Sequence, residues 1–263
     1  MATLADQTIA ALRSGHEELA TLVRDLGPDD LVRPSGASEW QVSQVLSHLG
    51  SGAEINLAAL SAARGDGAAP DEGFNRRVWD RWDAMPPAEH ASAFLAADQR
   101  LVEAYESLGA SDRAELRIDL GFLPEPVDVA TTARFRLNEF ALHQWDVEVA
   151  FNPYATVTPE AVGLLLDQVG GMIGWTSRPE ALDGRRATLA VRLSEPDRTY
   201  GLRLGERVEL ADAPEHPDGE LAAPAEAWLR LVSGRLGPRH TPEAVRVTGP
   251  LGLDDLRRVF PGF

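Results

Sequence analysis

The stretch TARFRLNEFALHQWDVEVAF, residues 132–151, decides the fold of the first half of the chain. Apolar side chains recur along it at the three- and four-residue spacing of an amphipathic helix. Glu139 and His143 are four residues apart, so both side chains project from one face, one turn from each other. Arg136 and Asp146 extend that face by three residues on either side. The spacing therefore predicts one helix on which these four polar residues share a face.

Amphipathic segments of the same kind account for most of the first 150 residues or so. Gly27-Pro28 ends the first segment, and Ser38 is a suitable N-cap for the second. The four predicted helices cover approximately residues 5–26, 38–63, 88–108 and 129–150. Four helices of this length, joined in sequence, predict a four-helix bundle.

The hydrophobic period changes in the second half of the chain. After the linker NPYATVTPE, a fifth helix is predicted to begin at Pro159 and to run through Trp175. RATLAVRL and TYGLRL alternate as strands do, RVEL and AVRVTG are strand-like, and PAEAWLRLVSGRL and LGLDDLRRVF are helical. The predicted fold class is α+β: a four-helix bundle over residues 1–155 is followed by a small α/β domain over residues 156–263.

The composition excludes several classes of function. Cysteine and lysine are both absent, and all 25 basic residues are arginine. This excludes disulfides, thiolate metal sites, a cysteine nucleophile and Schiff-base chemistry. The formal net charge of −16 argues against a nucleic-acid partner. No apolar run is long enough to span a membrane, and the first residues lack the basic start of a signal peptide, so we expect a cytoplasmic protein. The oligomeric state stays open.

Glu139 and His143 can both reach a single cation, and helix bundles build metal sites in their cores in this way. The same spacing is also that of a Glu–His pair on the surface of a helix, which contributes little to the stability of the helix. His48, in WQVSQVLSHLGSGAE, is the candidate third ligand, and the alternative is a core histidine bonded to a backbone carbonyl. Gly52 follows one turn later, which suggests that space is needed there. Two His and one carboxylate suit a catalytic Zn²⁺, with Fe²⁺, Ni²⁺ and Mn²⁺ left open.

Two other polar residues have alternative interpretations. His16 lies on the apolar stripe of the first helix and is predicted to be a core residue, with a place in the pocket lining as the alternative. Asp146 is either a carboxylate that orients a ligand histidine or an acid that faces solvent.

The run Trp-x-Val-x-x-Val-Leu-x-His-Leu at Trp40–Leu49 and the run Glu-x-x-x-His-x-x-Asp at Glu139–Asp146 resemble the mycothiol-dependent maleylpyruvate isomerase family. That family belongs to the DinB-like superfamily of thiol-dependent metalloenzymes. The resemblance covers the whole chain and implies a DinB-like four-helix bundle followed by a domain similar to sterol carrier proteins. It also implies that His48, Glu139 and His143 are the metal ligands, usually of zinc.

The resemblance further maps a catalytic arginine onto Arg235, with Arg230 as the weaker candidate. The alternative for either is a cation placed favourably at a helix C-terminus. The implied reaction is cis–trans isomerisation by thiolate addition, bond rotation and elimination. Mycothiol would supply the thiol, so the partners would be a small electrophilic substrate and this low-molecular-weight thiol. The alternatives are a mycothiol S-transferase or conjugating enzyme acting on another electrophile, and a non-catalytic small-molecule binding protein.

Overall fold

The computed structural model describes residues 2–262. The chain forms two compact units, of which the first ends at Asn152 and the second begins at Pro153. Helices dominate the first unit and the larger sheet lies in the second, so the predicted α+β class is confirmed. No helix within residues 2–262 combines the length and the apolar character that crossing a membrane requires.

The first unit is a four-helix bundle with short elements in its connections. Its helices are α1 (Leu4–Arg24), α2 (Pro28–Leu31), α3 (Val42–Arg64), α4 (Phe74–Asp83), α5 (Pro87–Glu106), α6 (Ala110–Glu115) and α7 (Val129–Glu148). Strands β1 (Arg117–Ile118) and β2 (Val127–Asp128) form a small antiparallel pair before α7. The long helices α1 and α3 each pack against both α5 and α7. The predicted bundle is therefore present.

Helix α1 shows how the sequence fixes these elements. Its N-cap Thr3 accepts a hydrogen bond from the Asp6 N–H, and the Asp6 carboxylate accepts one from the Thr3 N–H. This reciprocal capping box satisfies two backbone donors that the helix itself leaves unpaired. The side chains of Leu12 and Leu19 lie on the buried face of the helix. Their burial against α5 and α7 stabilises the packing of the bundle.

The predicted start of the second long helix was wrong. Ser38 is not an N-cap, since α3 begins at Val42 with Gln41 as its N-cap. Glu39 adopts a φ of +70°, which a helix cannot contain. Pro34 and Gln41 form an isolated antiparallel bridge that closes the intervening residues into a loop. This loop, residues 33–41, is called the Trp40 loop below.

The second unit is a mixed sheet with helices packed against it. Its helices are α8 (Pro159–Thr176), α9 (Ala225–Val232) and α10 (Leu253–Val259), and its strands are β3 (Ala187–Ser194), β4 (Arg198–Leu204), β5 (Val208–Ala211), β6 (Gly219–Pro224) and β7 (Arg246–Thr248). The strand order is β5-β4-β3-β6-β7. Strands β3 and β6 are parallel, whereas the other neighbours are antiparallel. Helix α8 packs on β5 and α9, and α9 packs on β3 and β6, so the core of this unit lies between these helices and the sheet.

Candidate metal centre

Helix α7 carries three of the polar residues at the centre. It begins at the N-cap Asp128, whose carboxylate accepts a hydrogen bond from the Thr131 N–H at 2.7 Å. From there the helix continues without interruption to Glu148, so Glu139, His143 and Asp146 lie on neighbouring turns. His143 and Asp146 are buried, whereas Glu139 is partly exposed.

Helix α3 runs beside α7 and brings His48 to the same place. His48 Nε2 lies 3.2 Å from Glu139 Oε2, and His143 Nε2 lies 3.9 Å from the same oxygen. The candidate ligand atoms of the three residues all lie within 4.8 Å of one another. The structure therefore brings together the three side chains that were predicted from the sequence to be ligands, although His48 and Glu139 are 91 residues apart in the chain.

The donor set fits a divalent cation. Zinc lies about 2.0–2.2 Å from imidazole nitrogens and carboxylate oxygens, which puts neighbouring ligand atoms about 3.4 Å apart in a tetrahedral site. The two separations between a histidine nitrogen and the Glu139 oxygen, 3.2 and 3.9 Å, lie on either side of that value. The side chains of His48 and Glu139 are 38% and 39% exposed, so the cluster opens to solvent and a further ligand can reach it. Three protein ligands with an open side are typical of catalytic rather than structural zinc sites.

The charges around Glu139 favour its ionised form. Burial has the largest single effect on its carboxyl group and raises its pKa. The hydrogen bond with His48 and the electrostatic effects of the His143, His48 and Arg136 side chains act in the opposite direction and together outweigh burial. The pKa of Glu139 therefore lies below its usual value, and the group is an anion at neutral pH, as metal ligation requires.

Asp146 contacts the ring nitrogen of His143 that faces away from the cluster. Its Oδ2 lies 2.8 Å from His143 Nδ1, and its side chain is fully buried. A hydrogen bond at Nδ1 fixes the imidazole tautomer and leaves the Nε2 lone pair available to a cation. Of the two interpretations of Asp146, the one in which it faces solvent was wrong.

Trp40 is the residue near the centre to which sequence reasoning assigned no role. Its indole ring lies 5.3 Å from the His48 ring and 5.8 Å from the His143 ring, and it is nearly parallel to the latter at 20°. The two imidazole rings are 4.7 Å apart, edge to face. The available signal was the tryptophan at the start of the Trp40–Leu49 motif, eight positions before His48.

A second polar cluster lies deeper in the bundle. His16 Nδ1 is 2.8 Å from one Asp98 oxygen, and Arg136 Nη2 donates to the other at 2.7 Å. All three side chains are buried. Arg136 also donates to the Leu49 carbonyl at 2.9 Å. A Cβ at Gly52 would lie 3.1 Å from Arg136 Nη1, so this glycine makes room for the guanidinium. His16 is a core residue with a carboxylate partner, as the first of its two interpretations predicted.

Arg230, in the second unit, has a structural role in its own helix. Its Nε and Nη2 donate to the two carboxylate oxygens of Glu226 at 2.7 and 2.9 Å, and its Nη1 donates to the His240 carbonyl at 2.7 Å. This buried, bidentate pair stabilises the end of α9. Arg230, the weaker of the two arginine candidates, therefore donates these hydrogen bonds within its own unit.

Arg235 follows a glycine that the backbone requires. Gly234 has a φ of +74°, and a Cβ there would lie 2.4 Å from the Gly262 backbone nitrogen. Both features exclude a side chain at Gly234 and explain the Gly-Arg pair at the end of α9. Arg235 is buried, and its Nη1 donates to the Ser233 carbonyl at 3.0 Å.

Comparison with known proteins extends these observations. No curated protein matches the sequence. The chain is similar in structure to the mycothiol-dependent maleylpyruvate isomerase, with a TM-score of 0.64, 14% identity, and coverage of 95% of this chain and 98% of that chain. It is similarly close to a mutant of that isomerase in which a histidine is replaced by alanine, with a TM-score of 0.63, 13% identity and the same coverage. At these identities the likeness shows a shared fold.

The sequence itself gives the family. Residues 12–148 match the model of the mycothiol maleylpyruvate isomerase N-terminal domain, a stretch that includes the bundle helices α3, α5 and α7 and all three candidate ligands. Since this match covers more than half of the 263 residues, the chain belongs to the mycothiol maleylpyruvate isomerase N-terminal domain family.

Proposed function

We propose that this protein is a metal-dependent enzyme that isomerises an activated double bond, as in maleylpyruvate, with mycothiol as its thiol cofactor. The observation that carries the proposal is the convergence of His48, Glu139 and His143 inside the region matched by the family. The substrate class comes from the two structures that share the fold, both of mycothiol-dependent maleylpyruvate isomerase.

His48 and His143 would bind the cation through Nε2, and Glu139 would bind it through a carboxylate oxygen. Zinc suits this donor set, because it accepts imidazole and carboxylate ligands together, and Fe²⁺, Ni²⁺ and Mn²⁺ are the alternatives. A divalent cation bound there would supply a Lewis acid that lowers the pKa of a thiol and holds the thiolate. Asp146 would keep His143 in the correct tautomer through the 2.8 Å contact with Nδ1.

The thiol has to come from outside the chain, since the sequence contains no cysteine. In the proposed reaction the thiolate sulfur bonds to one carbon of the double bond, and the electron pair of that bond moves onto the conjugated carbonyl as an enolate. Rotation about the resulting single bond follows. Return of the electron pair expels the thiolate and leaves the trans isomer, so no atom is gained or lost. We propose that Arg235 binds a substrate carboxylate or stabilises the enolate.

Metal content tests the ligand set. Protein purified without chelator should contain one divalent metal ion per chain by elemental analysis, and His48→Ala and His143→Ala should lose it. His216→Ala, which removes an exposed histidine from the second unit, is the matched control and should retain it. Retention of metal in both ligand variants would contradict the assignment.

The thiol dependence tests the reaction. Maleylpyruvate should be converted only when a low-molecular-weight thiol is added, and mycothiol should be the most effective. A stable thioether product from another electrophile would instead favour the S-transferase alternative. Undiminished turnover without thiol would contradict the mechanism, and binding without turnover of any electrophile tested would favour a non-catalytic binding protein.

A further inference from the structure

Trp40 packs against both histidines of the proposed metal centre. Its ring centroid is 5.3 Å from that of His48 and 5.8 Å from that of His143. Aromatic pairs at these separations and tilts attract one another beyond the area they bury. The indole therefore restricts the rotation of both imidazoles at once. It also covers one side of the pair, while remaining 36% exposed on its own outer side.

The Trp40 loop holds the indole in this position. The Ser35 N–H and the Ser35 hydroxyl both donate to the Trp40 carbonyl at 2.9 Å, which closes the loop on itself. The Gly36 N–H donates to the Asp146 carbonyl at 2.7 Å, which fastens the loop to α7. The side chain of Asp146 also contacts His143 Nδ1, so one residue contacts both the loop and the ligand histidine.

Gly36 is required for this attachment. A Cβ at this position would lie 2.8 Å from Val149 Cγ1 and 2.9 Å from both Asp146 Oδ1 and Trp145 Cζ3. Real Cβ atoms essentially never approach other atoms this closely, so with a larger residue either the loop or these side chains must shift. A shift of the loop would carry Trp40 with it.

We propose that Trp40 is a positioning residue of the metal centre: it holds His48 and His143 in the ligating arrangement and excludes solvent ligands from the side that it covers. A cation held by the three ligands would then be open to a thiol and a substrate only on the sides that Trp40 does not cover. The inference rests on the metal site proposed above.

The test measures zinc affinity by competition with a chromophoric chelator and the visible absorption of the Co²⁺-loaded protein. In Trp40→Ala the zinc Kd should rise about tenfold, the equivalent of one lost aromatic packing interaction. The Co²⁺ bands should weaken, since an added water ligand raises the coordination number. Trp40→Phe should retain most of the affinity. Gly36→Ala should weaken zinc binding with Trp40 still present, and Trp175→Ala, which removes an indole that is 83% exposed, should change neither measurement.

The outcomes separate the two proposals. Wild-type protein that binds no zinc would overturn the metal site and, with it, the role of Trp40. Zinc binding and a Co²⁺ spectrum that are the same in wild type and Trp40→Ala would overturn the role of Trp40 alone. If circular dichroism shows that Trp40→Ala does not fold, Trp40→Leu replaces it, and equal affinities for the Leu and Phe variants would overturn the role of the aromatic ring.

Discussion

At the residue scale, Asp146 connects two parts of the metal centre. Its carboxylate lies 2.8 Å from His143 Nδ1, while its backbone carbonyl accepts the 2.7 Å hydrogen bond from Gly36. The side chain is fully buried, so water cannot replace it as the partner of the imidazole. A substitution that keeps the size of the side chain and removes its charge would separate the effect on His143 from the effect on the loop.

We therefore expect Asp146→Asn to weaken zinc binding about 10–100-fold, the usual effect of changing the partner of a ligand histidine. The loop should stay attached, because its contact is with the backbone. Competition titration with a chromophoric chelator measures the affinity. Asp80→Asn removes the same charge from an exposed position on α4 and serves as the control. An unchanged Kd for Asp146→Asn would show that this carboxylate does not support the site.

Spacing along one helix was enough to predict that Glu139, His143 and Asp146 share a face, because the helical period fixes which residues are neighbours. His48 lies 91 residues before Glu139. Its own helix and the glycine one turn later made it a candidate ligand, but local spacing does not encode which helices pack together, so its place beside Glu139 and His143 came only from the family motif. The contacts of Trp40 were unpredictable for another reason. They depend on a loop with a positive φ at Glu39, and local pattern favoured an earlier helix start there.

At the scale of elements, two glycines of α3 allow side chains of α4 and α7 to approach this helix closely. A Cβ at Gly50 would lie 2.1 Å from Trp82 Cη2, and one at Gly52 would lie 3.1 Å from Arg136 Nη1. Glycine in a helix interior is unfavourable by about 0.5–1 kcal/mol relative to alanine. The close approach of the two neighbouring side chains compensates for that cost.

Gly50→Ala should lower the free energy of unfolding by about 1–3 kcal/mol, because the added methyl group overlaps a buried indole. Gly163→Ala is the matched control: apart from the surrounding backbone of its own helix, no atom of the described residues lies within 4 Å of the added Cβ, so the better helix former should raise stability by about 0.5–1 kcal/mol. Urea unfolding followed by circular dichroism measures both. Equal stability of Gly50→Ala and wild type would contradict the packing argument.

The cap of α1 gives a pH-dependent prediction. The backbone hydrogen bond from Thr3, followed by the hydrogen bond from Arg113, lowers the pKa of Asp6 from 3.8 to about 2. A carboxylate with a lowered pKa contributes stability that is complete above 3.8 and is lost as the pH falls through about 2. Asp6→Asn should therefore be less stable than wild type at about pH 6, and the difference should be smaller at about pH 3. The same difference at both pH values would contradict this.

The long elements were predictable because each repeats its hydrophobic period over several turns. Short elements were missed. Helix α4, FNRRVWDRWD, buries only Val78 and Trp82, which is too few to show a period. Strand β6, GELAAP, combines glycine, alanine and proline, and it pairs with β3 and β7, which lie far from it in sequence. Its pairing depends on tertiary contacts that local propensity does not report.

At the scale of the whole molecule, chemistry is assigned to both units. The candidate ligands belong to the first unit, and the proposed arginine belongs to the second. The guanidinium of Arg230 donates to both carboxylate oxygens of Glu226, and Arg235 stays the residue that we propose to bind a carboxylate of the substrate. With Arg235 in this role, turnover depends on Arg235, whereas metal binding does not.

Arg235→Ala should therefore lower kcat about 10²–10³-fold, the usual loss when a preorganised charged donor is removed from an active site. Metal content and the far-UV spectrum should match wild type. Arg235→Lys should restore little activity, because an ammonium group keeps the charge and loses the planar fork. Steady-state kinetics of both variants on an active substrate provide the measurement. Kinetics close to wild type for Arg235→Ala would refute the role.

The buried contact between Asp98 and Arg136 has a consequence for how the protein is made. Arg136 follows Asp98 by 38 positions, so a ribosome adding about 5–20 residues per second completes the pair roughly 2–8 s later. Until then the carboxylate has the His16 imidazole as its partner but lacks the guanidinium of Arg136, and burial of a charge with part of its partners missing is unfavourable. We therefore expect α1, α3 and α5 of the nascent chain to keep their apolar faces exposed, and not to complete the bundle, until α7 leaves the exit tunnel. We expect ribosome-associated chaperones to bind the growing chain during that interval.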